Sequence, residues 1–253
     1  MNYIRKIFKM KTIAIIPARL ESKRFPNKLV KKINGIPIIL KTFRAALETK
    51  LFDEVYVVSA NDEVLRIIKD EGGLTFKSLR DHLSGTDRIA EAAINIKHDI
   101  VVNLQGDEPF INKEAISDLI NSFNDKDVQI SSLMTKFKNF DEINNPNNVK
   151  VIVNNDNDAI YFSRLPIPFG SEKIDDFNRH IGVYAFTRNA LIDFSKLERS
   201  KLEIIESLEG IRIIENSKKI RMISTSFHGL SIDTPEDLIE AIKINLSNDK
   251  NLS

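Results

Sequence analysis

The sequence predicts an α/β fold in which a mostly parallel central sheet carries an inserted, smaller antiparallel lobe. Three observations predict it. Over the first half of the 253-residue chain, short continuous apolar runs alternate with segments of helical periodicity, the pattern of strands joined by crossover helices. From about Gln129 strand-like runs follow one another with few helices between them, which reads as antiparallel pairing. Hydrophobic residues at 42% and charged residues at 29% supply core enough for one large domain or a main domain with a lobe. We read residues 1–253 as a single domain, with about 130–215 forming the lobe and 1–10 a disordered extension.

The elements follow in order. "TIAIIPA" is a doubly covered strand, and "IPIILKTFRAALETK" has helical spacing. "EVYVVSA" is a second buried strand, "DEVLRIIKDEG" a helix closed by Gly72, and "GLTFKSL" a third strand. "GTDRIAEAAINI" is a helix, "DIVVNLQG" a fourth strand and "NKEAISDLINSF" a helix. "QISSLMTKF", "NVKVIVNN" and "AIYFSR" are strand-like, and the loop "LPIPFGSEKIDDFNR" follows. "HIGVYAFTRNALIDFSKL" is a strand running into a helix, and "LEIIESLEGIRIIENS" is helical. "KIRMIST" and "SID" read as edge strands before the last helix, "TPEDLIEAIKINL".

Composition removes several function classes. Lys and Arg number 37 against 36 Asp and Glu, a net charge of +1, whereas a nucleic-acid binder is normally strongly basic. No cysteine is present, which excludes disulfides, thiolate nucleophiles and cysteine-ligated metals. No apolar run approaches the ~20 residues that span a bilayer, and the start does not read as a signal peptide. The expected compartment is the cytoplasm.

Four constellations carry chemistry. Arg19, Arg24 and Lys28 lie on the loop behind the first strand, where ligands of a parallel sheet bind. Forked arginines and a point-charge lysine suit a triphosphate, although spacing alone equally allows a solvated loop. The loop has neither the Gly-x-Gly-x-x-Gly nor the Walker pattern. Next, "NLQGDEP" delivers Gln105, Gly106, Asp107 and Glu108 at the end of the fourth strand. An acid facing polyphosphate suits Mg²⁺, and a plain turn is the alternative. In "SIDTPEDL", Thr234 and Asp237 form a capping box with Pro235 at the first helical position, leaving Asp233 as a candidate second metal ligand. Last, Arg164 could grip a carboxylate in two places, near His180 and Tyr184. His82, His98 and His228 read as structural.

Taken together, "IIPARLESKRFPNK", "SGTDRIAEA", "NLQGDEPFI", "NPNNVKVI…AIYFSRLPIPF", "RHIGVYAF", "LEIIESLEGIR" and "IDTPEDL" resemble the 3-deoxy-manno-octulosonate (Kdo) cytidylyltransferase family, from about Thr12 to near the end. The resemblance implies a Rossmann-like nucleotidyltransferase fold. It also implies that Kdo is activated by CTP to give CMP-Kdo and pyrophosphate for lipopolysaccharide, in a homodimer built through the lobe. It places CTP on Arg19, Ser22, Arg24 and Lys28 with Ser84, Gly85 and Arg88. Mg²⁺ falls to Asp107 and Asp233, and the acid sugar to Gln105, Arg164, His180, Tyr184 and Glu209. Arg19, Lys28, Asp107 and Asp233 would be the catalytic set.

Two positions depart from the family pattern. Asn27 replaces a usual Gly, which a left-handed Asn can mimic. Gly210 replaces a usual Gln beside Glu209, read either as drift or as room for an altered sugar. A modified Kdo such as an 8-amino analogue, another acid sugar, and a non-catalytic nucleotide-binding regulator are the alternative readings.

Overall fold

A computed structural model describes residues 10–21, 24–80, 82 and 84–250, with side chains through 244. Ser22 and most of the expected extension therefore lie outside the described residues. Strand β1 (Thr12–Ala18) is followed by a hairpin of β2 (Lys32–Ile33) and β3 (Ile36–Pro37), then helix α1 (Ile38–Glu48). Asn34 and Gly35, at φ 50° and 82°, make the hairpin turn, so the segment predicted as helical from Ile36 is extended for two residues first. The alternation continues as predicted through β4 (Glu54–Ser59), α2 (Asp62–Asp70), β5 (Leu74–Lys77), α3 (Gly85–Ala93), β6 (Ile100–Asn103) and α4 (Lys113–Asn121). Asn61, Ser84 and Asn112 cap α2, α3 and α4, each accepting a backbone N–H of the first turn.

The second half holds β7 (Ile130–Lys136), α5 (Phe140–Asn144), β8 (Lys150–Val153), β9 (Ala159–Ser163) and β10 (Asn178–Thr187). It ends with α6 (Arg188–Phe194), α7 (Lys201–Glu206), α8 (Glu209–Glu215), β11 (Arg221–Ser224) and α9 (Pro235–Lys250). The run 202–217 is not one helix. Ser207, left-handed at φ 55°, ends α7, and Leu208 starts α8. Residues 231–233 form no strand.

The main sheet runs β11-β7-β10-β6-β1-β4-β5, with the β8–β9 hairpin joined through β10. β6, β1, β4 and β5 are parallel, whereas β10 is antiparallel to both β6 and β7. The antiparallel portion thus grows out of the parallel sheet. β1 buries both faces: Ala14 and Ile16 enter one core cluster, Ile13 and Ile15 the other.

One strand makes the site. β10 pairs with β6 only over Tyr184–Thr187 and with β8 only over Asn178–Arg179. The segment between them therefore has no strand on that flank. Its ladder with β7 also skips from Ile181 to Tyr184, leaving Gly182 and Val183 outside the pairing. A cavity opens at this interruption.

Candidate active site

Two adjoining cavities lie at the carboxyl ends of β1 and β6, where a parallel sheet binds ligands. The larger, about 980 Å³, is lined by Arg19, Arg24, Lys28, Ser84, Gly85 and Arg88, with Asp107 and Asp233 among the others. The smaller, about 290 Å³, is lined by Arg179, His180 and Tyr184 among others. Gln105, Ser207, Glu209 and Asp233 belong to both. A third cavity, about 680 Å³, involves Gln129 and Ile130 at the start of β7 and Arg221 at the start of β11. It is at the wrong ends of those strands and brings together none of the expected groups.

The cationic loop is folded by its own backbone. Asn27 donates to Leu20 O at 3.1 Å and sits at φ 55°, ψ 27°, the left-handed turn that Asn tolerates. Lys28 is thereby turned back toward β1. Gly106 lets the Asp107 loop approach β1, since a Cβ there would lie 3.1 Å from Pro17 O. Its carbonyl accepts from Thr42 Oγ1 at 3.0 Å. Ile232 N donates to Asp107 O at 3.0 Å, which lays residues 232–233 against the 107 turn. The capping box holds Asp233 from the other side: Thr234 N donates to Asp237 Oδ2 at 2.8 Å, and Asp237 N to Thr234 Oγ1 at 3.2 Å.

These contacts bring carboxylates 126 residues apart onto one ammonium group. Lys28 Nζ hydrogen-bonds Asp107 Oδ2 and lies 2.8 Å from Asp233 Oδ1, while Arg24 Nη2 lies 2.9 Å from Asp233 Oδ2. Burial alone would raise the Asp233 carboxyl, but Lys28 and Arg24 hold it below its ordinary value. Burial would lower Lys28, yet the two aspartates raise it. Arg19 is exposed on the same cavity. Among the described residues no cluster of three or more His, Cys, Asp or Glu forms a metal site. Two carboxylates already sharing a cation do suit Mg²⁺, which keeps waters and substrate phosphates as its other ligands.

On the far side of Asp107, burial and the neighbouring aspartate push Glu108 up to about 8. In the smaller cavity, the interruption of β10 frees Gly182 O to accept from Gln105 Nε2 at 3.2 Å, which orients that amide. Ser132 Oγ lies 2.8 Å from Val183 O and 2.9 Å from His180 Nε2. With its proton directed to the carbonyl, the hydroxyl accepts from Nε2–H and leaves Nδ1 of His180 as an acceptor. Burial lowers His180 to about 3, so the ring is neutral. Burial and then the Glu209 charge raise Tyr184. Glu209 is itself raised by burial, against a hydrogen bond with Thr86.

Ser84 and Asp87 exchange hydrogen bonds at the start of α3, and Arg88 Nη1 donates to Ala18 O at 2.9 Å. Behind them Arg212, 1% exposed, makes a forked pair with Glu203 at 2.8 and 2.7 Å and reaches Asp87 at 3.1 Å. This buried network ties α3, α7 and α8 together and so places Ser84 and Glu209 at one junction.

Three expectations need correction. Arg164 lines neither cavity: its Nε donates to Glu206 O at 2.8 Å, Nη1 to Pro146 O at 2.9 Å, and Nη2 lies 3.5 Å from Ser207 O. Its guanidinium is taken up in holding loops. Arg179 stands in the smaller cavity instead, and no hydrogen bond joins its side chain to a described residue. Strand alternation gives no hint that Arg179 and His180 share a wall. Of the histidines read as structural, His82 pairs with Glu91 at 2.8 Å on the larger cavity, and His228 lines the smaller. His98, buried and bonded to Ile96 O at 2.8 Å, remains structural. Finally, no space is vacated at Gly210: Tyr184 and Phe162 fill it.

The cytidylyltransferase family matches residues 13–220, and a 3-deoxy-manno-octulosonate cytidylyltransferase of Christiangramia forsetii is 46% identical over 241 residues, 93% of this chain and 97% of the relative. The chain belongs to the 3-deoxy-manno-octulosonate cytidylyltransferase family. A Flavobacterium johnsoniae relative of the same name is 47% identical over 237 residues, 92% of this chain and 97% of its own. Among solved structures, a CMP:2-keto-3-deoxy-manno-octonic acid synthetase complexed with CTP superposes with a TM-score of 0.88 at 33% identity, covering 94% of this chain and 99% of that one. This cytidylyltransferase also shares its fold with a 4-diphosphocytidyl-2C-methyl-D-erythritol synthase of Anaerococcus prevotii, TM-score 0.64 at 16% identity and 94% and 99% coverage.

Proposed function

We propose that this cytidylyltransferase couples CTP to Kdo, releasing pyrophosphate and CMP-Kdo. The observation that carries the reading is the pair of cavities meeting at Gln105, Glu209 and Asp233, one rimmed by loop cations and one by sugar-sized polar walls. In this reading the larger cavity takes CTP and the smaller the acid sugar. The anomeric hydroxyl attacks the α-phosphorus in line, and the bond to the pyrophosphate oxygen breaks. Such transfers depend on positioning and charge neutralisation, so no protein nucleophile is needed.

Asp107 and Asp233 are the residues that would hold Mg²⁺, which when bound supplies Lewis-acid polarisation of the reacting oxygens. Lys28 and Arg24 now sit on those aspartates. When CTP binds they would turn to its phosphates, where with Arg19 they neutralise the departing pyrophosphate. The Kdo carboxylate is one bond from the anomeric carbon, so its partner belongs near Asp233. Arg179, in the field of Glu108 beside Asp107, fits that place.

The chain is further read as a cytoplasmic homodimer. Among the described residues no helix is long and apolar enough to cross a membrane. Ile160 on β9, Leu165, Phe169, Ile204 and Ile205 are exposed around an edge strand that pairs only with β8, an apolar surface suited to a second copy.

Pyrophosphate release should be measured with CTP and Kdo, an 8-amino analogue and a sialic-type acid, each with and without Mg²⁺. Turnover of Kdo above the others, dependent on Mg²⁺, is expected. Turnover of another sugar alone replaces the substrate. CTP binding without turnover of any sugar replaces the enzyme with a regulator.

A further inference from the structure

The segment between β11 and α9 passes over the interruption in β10 and is pinned on both sides of it. Thr225 N donates to Met134 O on β7 at 2.9 Å, and Ile232 N donates to Asp107 O at 3.0 Å. Between these pins Phe227 packs against the main core, and its N–H donates to Thr225 Oγ1 at 3.1 Å. Gly229, left-handed at φ 60°, turns the chain above β10, where a Cβ would lie 3.8 Å from Ile181 Cγ2. The turn lays His228, Gly229, Ser231 and Asp233 along the smaller cavity, which Arg179 also lines.

His228 has one closed edge and one open one. Its Nδ1 is sealed from solvent with no hydrogen-bond partner among the described residues, while the residue as a whole is half-buried. Burial, then the Lys138 charge, lowers its pKa; Glu142 opposes the shift and Arg179 adds to it, so the ring is neutral near pH 7. An orphaned buried N–H is tolerated less well than an orphaned lone pair, which puts the ring proton on Nε2, toward the cavity. Arg179 stands in the same field, and no hydrogen bond joins its side chain to a described residue. Two donors thus face the cavity without an acceptor, whereas His180 Nδ1 and the Glu209 carboxyl supply acceptors suited to hydroxyls.

We propose that His228 is a further specificity-determining residue for the acid sugar: with Arg179 it donates to the sugar carboxylate. The proposal rests on the reading that the smaller cavity takes that sugar. His228 lies five residues before Asp233 on the same segment, so a carboxylate one bond from the reacting carbon falls within its reach. A neutral sugar of the same shape leaves both donors unpaired, which is how a polar site rejects an analogue.

The test is a double-mutant cycle of His228→Ala and Arg179→Ala, read by pyrophosphate release with Kdo as the probe. His228→Ala is expected to raise the KM for Kdo about tenfold, the loss of one hydrogen bond to a charged group, with the KM for CTP held within about twofold. His228→Gln keeps an N–H donor and should stay within about threefold of the wild type. Because one carboxylate joins the two residues, adding His228→Ala to Arg179→Ala should raise the KM for Kdo by less than about threefold further. An unchanged KM for Kdo in His228→Ala, equal rises for both substrates, or strictly additive effects overturn the inference. Should His228→Ala fail to fold by circular dichroism, His228→Phe, which keeps a ring and removes the N–H, replaces it in the cycle. Failure of both to fold makes His228 structural and overturns the inference. If the wild type turns over a different acid sugar, only the choice of Kdo fails, and the same coupling read with that sugar supports the inference. If it turns over no acid sugar, both readings fall.

Discussion

Lys28 shows how one side chain can serve two states. Its ammonium contacts both Asp107 and Asp233, so the site carries its own counter-charge. If these aspartates hold Mg²⁺ as proposed, the ion would displace the lysine, and displacement would be easier when a triphosphate receives it. Mg²⁺ and CTP should therefore bind with positive coupling, which linkage makes reciprocal. Calorimetry of Lys28→Met should find tighter Mg²⁺ binding without nucleotide and weaker coupling to CTP. Unchanged metal affinity would remove Lys28 from that role. The arginine exchange is tested beside it: Arg179→Ala should raise the KM for Kdo far more than that for CTP, whereas Arg164→Ala should lower thermal stability by freeing the carbonyls it holds. His180 predicts a pH effect. The unfolded imidazole protonates near 6.5 and the folded one only near about 3, so the unfolded state binds more protons in that window. Stability should fall as pH drops from 6.5 toward 3, and His180→Gln should flatten the slope in denaturant titrations at several pH values.

Among the elements, the break between α7 and α8 matters most. A continuous helix over 202–217 is what apolar periodicity predicts, and the helices observed within that run are 202–206 of α7 and all of α8, Glu209–Glu215. The left-handed Ser207 ends the first helix, which lets Glu209 head the second one at the junction of the two cavities. The Arg212–Glu203 pair then fixes the angle. Removing one member of a buried ion pair leaves the other uncompensated, typically about 3–5 kcal/mol. Arg212→Met should destabilise on that scale in urea unfolding, and Glu203→Met added to it should recover much of the loss. A deficit well below that would mean water reaches the pair. β10 is legible as a strand from "HIGVYAF", but its change of partner from β8 to β6 is not, because pairing is a property of three strands far apart in sequence.

At the scale of the whole molecule, an apolar surface around β9 is left exposed. Phe169 is fully exposed, Leu165 and Ile205 are 72% and 66% exposed, and β9 is an edge strand paired with β8, a combination that invites association. Light scattering should find a dimer for the wild type and a monomer for the Phe169→Asp, Ile205→Asp variant, with its circular dichroism unchanged. A wild-type monomer at micromolar concentration would remove the homodimer from the reading.

By itself the sequence determined the alternation of strands and helices, the rim on which the site would lie, the capping box at Thr234, and the residues that carry charge to the larger cavity. Each is local: an apolar period, a cap or a motif acts over a few residues. Only the tertiary structure decided which groups face one another. The Lys28 bridge between Asp107 and Asp233, the withdrawal of Arg164 in favour of Arg179, and the filling of the space over Gly210 by Tyr184 all join segments tens of residues or more apart. Their positions follow from sheet order and close packing, which no window of sequence contains.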